Sequence, residues 1–251
     1  MSKYSLKGKA VLIGGGAKNL GGLISRTLAA EGAKVCVHYN SSATRADAEK
    51  IVAEIQAAAG VAFAIQGDFT KVADVVTVFA VAKKQLSGLD IAINTVGKVL
   101  KKPFVETTEA EYDSMAAINS KAAYFFIQEA GKQLNDGGKI CTIVTSLLAA
   151  YTGLYSTYGG MKAPVEHFTR AASKEFGPRG ISVTAVGPGP MDTPFFYGQE
   201  TTDAVAYHKS ASALGGLTKI EDVVPLIKFL VTDGWWITGQ TIFANGGYTT
   251  R

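Results

Sequence analysis

The chain has 251 residues, 47% hydrophobic and 18% charged, a balance that excludes a disordered or coiled-coil protein and suits one large domain, 1–251, around a single core. Its apolar runs fall short of the ~20 residues a membrane span needs, and the first stops at glycines after four residues, so neither a span nor a signal peptide is expected and a cytoplasmic location follows by default. The net charge of +4 is spread without a basic block, which argues against nucleic acid, while two cysteines inside apolar runs and three scattered histidines offer neither a disulfide nor a metal site.

From the N-terminus onward, short apolar runs alternate with longer segments of helical spacing, the pattern of a parallel sheet covered by helices on both faces. Seven strands are predicted, at 10–13, 34–38, 61–66, 91–94, 140–144, 181–186 and 241–244. Between them Ala48/Ile51/Ile55, Val72/Val75/Phe79/Ala82 and Val165/Phe168/Ala172/Phe176 recur at three- and four-residue steps, giving each connecting helix one apolar stripe. Right-handed crossovers then make an open, doubly wound α/β sheet. Thr218 and Glu221 fit a capping box for a last helix through Val223, Val224, Ile227 and Leu230, with a bend expected at Pro225. The stretch 187–216 lacks clear periodicity and reads as a substrate lid loop.

Two clusters carry chemistry. Gly14-Gly15-Gly16-Ala17-Lys18-Asn19-Leu20-Gly21-Gly22 follows the first strand, where a tight turn exposes backbone N–H groups and a positive helix end to a phosphate. In a chain with 28 glycines a plain flexible turn is the alternative. Tyr158 and Lys162 form the only Tyr-x-x-x-Lys in the sequence; one helical turn apart, they share a face just after the fifth strand, whose end carries the hydroxyls of Thr145 and Ser146. Ligands of open α/β sheets sit at that edge.

These motifs, in this order and over nearly the whole chain, resemble the short-chain dehydrogenase/reductase family, a Rossmann-like fold. Gly15 and Gly21 match the outer glycines of its first turn. Asn19 stands for the middle glycine, tolerable because Asn enters the left-handed region at modest cost, and Gly14 replaces a Thr. Asp68, followed by Phe69, resembles the adenine contact, and Asn94-Thr95-Val96-Gly97 resembles the family's NNAG segment with Thr95 for the second Asn. Pro188, Gly189, Met191 and Thr193 fall in the segment that holds the nicotinamide carboxamide, with Thr193 as the side-chain donor. The acidic residue that grips the ribose of NAD is replaced by Tyr39, so the resemblance implies NADP(H), with NAD(H) not excluded; Lys18, Asn40, Ser41, Ser42 and Arg45 are the candidates for the 2′-phosphate. Ile237-Thr238-Gly239-Gln240 and Asn245-Gly246-Gly247 match the family's C-terminal segments, which implies a homotetramer.

The resemblance also assigns the chemistry: hydride transfer between a nicotinamide and a ketone, aldehyde or secondary alcohol. Tyr158 is then the general acid/base, and Lys162 is expected to favour its phenolate and to hold the nicotinamide ribose. Thr145 falls at the position that orients the substrate oxygen, with Ser146 one residue off register, and Asn119 matches the fourth catalytic position, linked to a proton relay. Leu147, Leu148, Tyr151, Tyr155, Phe195, Phe196, Tyr197 and His208 are candidates for an apolar pocket, or alternatively for core or interface packing. Within the class a 3-oxoacyl-carrier-protein reductase and a sugar or polyol dehydrogenase both fit. A cofactor-binding sensor or scaffold without turnover is the alternative outside it, because Asn19, Thr95 and Thr145 depart from the family pattern. Pro164, two residues beyond Lys162, removes a backbone bond to Gly160 from the helix that carries the pair.

Overall fold

The computed structural model describes residues 4–250. Seven parallel strands form one sheet in the order β3-β2-β1-β4-β5-β6-β7: β1 (Ala10–Gly14), β2 (Lys34–Tyr39), β3 (Val61–Gln66), β4 (Ile91–Asn94), β5 (Lys139–Ile143), β6 (Ser182–Pro188) and β7 (Gln240–Ala244). The seven predicted strands are all present, shifted by no more than two residues at any end.

Because helices cover both faces, alternate residues of one strand enter two different cores. Val11 and Ile13 join a layer with α1 (Asn19–Ala30), α2 (Arg45–Ala57) and α9 (Ile220–Leu230), whereas Ala10 and Leu12 join one with α3 (Val72–Leu86), α5 (Ala122–Gln133) and the distal part of α6 (Ser156–Phe176). Phe79 and Phe126, fully buried, meet edge to face at 5.0 Å in the second layer; each such side chain contributes roughly 1.5–3 kcal/mol by leaving water.

The strand order reverses at β1, which pairs with β2 on one side and β4 on the other. Register aligns Gly14 with Asn94 and Asn94 with Thr142, so the carboxyl ends of β1, β4 and β5 finish level and open a crevice at the switch point.

Three local expectations change. The last helix is capped one residue later than predicted: the Lys219 N–H donates to Asp222 Oδ2 at 3.2 Å, while Thr218 pairs through its backbone with Pro190 beside Met191. The helix runs through Pro225 without interruption. The stretch 187–216 is not a plain loop but holds α7 (Pro194–Tyr197) and α8 (Thr202–Ala211); α8 buries only His208, so its sequence shows no apolar stripe. Between α4 (Glu109–Met115) and α5 the chain makes a π-helical segment, Ala116–Lys121, whose wider turn carries Asn119 inward. Pro164 is accommodated because Gly160, whose carbonyl loses its partner, is exposed to solvent. Among the described residues no helix is long and apolar enough to cross a membrane.

Candidate active site

A cavity of about 240 Å³ lies across the carboxyl ends of the strands. It gathers Gly15, Lys18, Asn19, Leu20 and Gly21 of the glycine turn, Thr95 and Gly97 after β4, Thr145 and Ser146 after β5, Tyr158 and Lys162 of α6, and Pro188, Gly189, Met191 and Thr193 after β6.

The glycine turn is packed too tightly for side chains. A Cβ on Gly21 would stand 2.1 Å from the Gly15 carbonyl oxygen, and one on Gly15 2.6 Å from Thr95 Oγ1. Thr95 earns its place by donating to the Gly14 carbonyl at 2.8 Å, tying the end of β4 to the turn. Asn19 sits at φ 44°, the left-handed conformation anticipated for a residue in a glycine's place. Lys18, the N-cap of α1, makes no side-chain cap, so the first N–H groups of the helix have no side-chain partner and face the cavity edge.

His38 holds the glycine turn from the second strand, a contact that sequence reasoning missed. Buried on β2, it stacks on Phe69 at 3.7 Å, accepts at Nδ1 from the Gly15 N–H at 3.0 Å and donates from Nε2 to the Gly67 carbonyl at 2.8 Å. Burial pulls its pKa down to about 4, which keeps the imidazole neutral and its Nδ1 free to accept. The available signal was a lone polar residue inside an otherwise apolar strand.

Tyr158, Thr145 and Lys162 meet at the cavity floor. Thr145 Oγ1 accepts from the Leu147 N–H at 3.2 Å, and its hydroxyl lies beside that of Tyr158. Lys162 is buried and donates to the Ile143 carbonyl at 2.8 Å and the Val96 carbonyl at 3.4 Å. In the protein alone, burial acts on both members of the pair. Burial pushes Tyr158 up to about 12, with the neighbouring Thr145 hydroxyl opposing only in part, and burial pulls Lys162 down to about 8.

Ser146 points elsewhere: its Oγ donates to the Gly187 carbonyl at 3.1 Å and accepts from Asn245 Nδ2 at 3.1 Å, bracing β5 against β6 and the C-terminal turn. Asn119 is fully buried; its amide donates to the Lys98 and Met115 carbonyls and accepts from the Lys98 N–H, fixing the segment after β4. Gly97 makes that approach feasible, since a Cβ there would lie 3.0 Å from Asn119 Oδ1 and 3.1 Å from Lys162 Nζ.

Other candidates fall outside the cavity. Asn94 caps the Val96 N–H, and Phe69 belongs to the core beneath His38. Asn40, Ser41 and Asp68 line a second recess beyond β2 and β3, while Tyr39 packs on the core and Ser42 begins a short turn. Lys18 is paired with Asp47 at 2.7 Å and Arg45 with Glu49 at 2.7 Å. Among the aromatic candidates Tyr155, Phe195, Phe196 and His208 line the cavity with Leu147. Tyr151 is fully exposed, Tyr197 is exposed and turned to Asp192, and Leu148 packs against a small cluster near Val165.

Whether these residues suit a nicotinamide dinucleotide is tested by one orphan. Thr193 Oγ1, buried and lining the cavity, is one of two buried side-chain polar atoms without a hydrogen-bond partner among the described residues. A buried hydroxyl left unpaired at a cavity wall, opposite an uncapped helix end and a glycine turn with no room for side chains, fits a polar, phosphate-bearing ligand.

Comparison with known proteins agrees. Residues 15–249 match a family model described as enoyl-(acyl carrier protein) reductase. The hydroxynaphthalene reductase-like protein Arp2 of Metarhizium brunneum is 34% identical, covering 98% of this chain and 97% of its own. A putative dehydrogenase from Burkholderia cenocepacia, solved with bound NADP, superposes with a TM-score of 0.97 at 64% identity over 100% of this chain and 97% of that one. A blue fluorescent protein from a metagenomic library, in complex with NADPH, gives 0.92 at 30% identity over 98% and 100%. The chain belongs to the short-chain dehydrogenase/reductase family of oxidoreductases.

Proposed function

We propose that the protein is an NADP(H)-dependent carbonyl reductase, interconverting a ketone or aldehyde with the corresponding alcohol. The observation that carries this reading is the Thr145–Tyr158–Lys162 group on a cavity floor shared with the orphaned Thr193 hydroxyl and the glycine turn. A relative named as a reductase-like protein and two similar structures holding NADP or NADPH support it.

Gly15, Asn19, Leu20, Gly21 and the N-terminus of α1 would hold the pyrophosphate, Lys162 the nicotinamide ribose, and Thr193 with the backbone of Pro188–Met191 the carboxamide. Asp68 would meet the adenine, and Asn40, Ser41 and Lys18 the 2′-phosphate, for which Lys18 must leave Asp47. When bound, NADPH supplies the hydride. The substrate oxygen takes its proton from Tyr158 and a hydrogen bond from Thr145. Protonated at neutral pH, Tyr158 can donate to the substrate oxygen in reduction, and the same phenol oxygen takes the proton back in oxidation. Lys162 acts as a charged anchor, and Asn119 holds the 95–98 segment against it. Ser146 serves as a brace. We extend the reading to a homotetramer, on the C-terminal motifs, and to a cytoplasmic location, with which two free buried cysteines agree.

The test is a panel of ketones, aldehydes and alcohols assayed with NADPH and NADH in parallel. NADPH oxidation with kcat/KM at least about tenfold above NADH is expected. Tight NADPH binding without oxidation across the panel would instead establish the sensor reading.

A further inference from the structure

Glu200 lies between α7 and α8 with its side chain wholly buried. It accepts from Lys101 Nζ at 2.5 Å and from the Tyr155 hydroxyl, and its Oε1 stands 3.7 Å from Nε2 of His208. His208 Nδ1 in turn is 2.9 Å from the Tyr248 hydroxyl. The partners come from four separate places: the segment after β4, the approach to α6, α8 and the C-terminal tail. Tyr155, His208 and Tyr248 line the cavity; Lys101 and Glu200 stand behind them. Hydride transfer and cofactor binding use none of these five residues.

The cluster decides which protons face the cavity. The Glu200 carboxylate 3.7 Å from Nε2 favours the tautomer with its proton there, in which Nδ1 accepts from the Tyr248 hydroxyl. Burial lowers the His208 pKa and so keeps the ring neutral. The Tyr155 proton is likewise committed to Glu200, and burial raises both phenols, so neither ionises near neutral pH. Each hydroxyl has therefore spent its one donor and keeps lone pairs only. Gln199, another polar side chain of the lining, directs an amide N–H to the Gly198 carbonyl. A wall of phenol lone pairs accepts from a ligand hydroxyl and offers a ligand carboxylate no donor.

We propose that Tyr155, His208 and Tyr248, polarised by Glu200, form a hydroxyl-recognition subsite, so that the substrates are ketones carrying a phenolic or alcoholic hydroxyl remote from the carbonyl and not ketones carrying a carboxylate there. The proposal deepens the reductase reading and rests on it. Glu200 is a positioning residue: it acts by consuming the donors of the groups that touch the ligand.

The test compares 1-tetralone, 6-hydroxy-1-tetralone and 1-tetralone-6-carboxylate as substrates with NADPH, for the wild type, Glu200→Gln and Tyr248→Phe. The hydroxylated ketone is expected to exceed the parent by about tenfold in kcat/KM and the carboxylate to fall below it by a similar factor. Both substitutions should reduce the hydroxyl-to-parent ratio at least about threefold, a change that general loosening of the lid would not produce because it affects both ketones alike. Binding of the same compounds to NADPH-loaded Tyr158→Phe, followed by NADPH fluorescence, reads the preference without turnover. If no ketone is reduced but this order of binding holds, the subsite stands and the reductase reading falls. Hydroxylated and parent ketones within about twofold of each other in both assays, or a preference that survives both substitutions undiminished, overturns the subsite.

Discussion

The backbone N–H of Gly15 donates to Nδ1 of His38 across 3.0 Å, so a side chain on the second strand sets the shape of the loop after the first. The bond needs a neutral ring with its proton on Nε2, which the Gly67 carbonyl enforces at 2.8 Å. His38→Leu leaves the Gly15 N–H unpaired and should cost about 1–3 kcal/mol of stability while weakening NADPH binding. The folded-state pKa, near 4, lies below that of the unfolded chain near 6.5. The unfolded state then binds more protons between those values, and stability falls as pH drops from about 6.5 to 4. Denaturant titrations of wild type and His38→Leu across that window check both points; the variant should lose the steeper acid slope.

Gly21 has no room for even one carbon, since its Cβ would lie 2.1 Å from the Gly15 carbonyl oxygen. Gly21→Ala must displace the glycine turn. NADPH affinity is expected to fall at least about tenfold, with a stability loss of order 1–3 kcal/mol, measured by fluorescence titration and thermal denaturation.

Thr145 and Ser146, adjacent in sequence, should separate in their consequences. Thr145→Val removes the hydroxyl beside Tyr158 and is expected to lower kcat by about tenfold to a thousandfold, while Thr145→Ser retains most of it. Ser146→Ala breaks bonds to Gly187 and Asn245 and should cost about 1 kcal/mol of stability with kcat changed only a few-fold. Steady-state kinetics and melting curves of the three variants distinguish the roles.

Burial of Lys162 lowers its pKa from 10.5 to about 8. Between those values the unfolded chain binds the extra proton, so this residue makes the fold gain stability as pH rises through that window and penalises it below pH 8. The stability difference between Lys162→Met and wild type should therefore shift against the variant as pH climbs from about 8 to 10.5, as read by urea unfolding; a constant difference would show that the amine is not desolvated.

The sheet was legible because its inner strands are buried on both faces and its strands read as apolar runs, which marks a parallel sheet covered by helices. Tyr158, Lys162 and the glycine turn were legible as local spacings, and Asn19 could be placed from the conformational tolerance of its side chain. What could not be read was contact across sequence distance. Glu200 meets Lys101, Tyr155 and His208 only after the lid folds over β4 and α6, and nothing in the 187–216 stretch marks it. For Tyr158 and Lys162, spacing places an amine one turn from a phenol but says nothing of how strongly burial acts on either group. Phe69 resembled a cofactor neighbour by position, yet the close stack on His38 makes it a core residue.

In the proposed reaction the Tyr158 hydroxyl delivers the proton to the carbonyl oxygen. Tyr158→Phe, assayed with NADPH on the best accepted ketone and titrated with NADPH by fluorescence, tests it most directly. Turnover is expected to fall at least about a thousandfold while the NADPH Kd stays within about threefold of wild type. Turnover within tenfold of wild type in a variant that still binds NADPH would contradict the account.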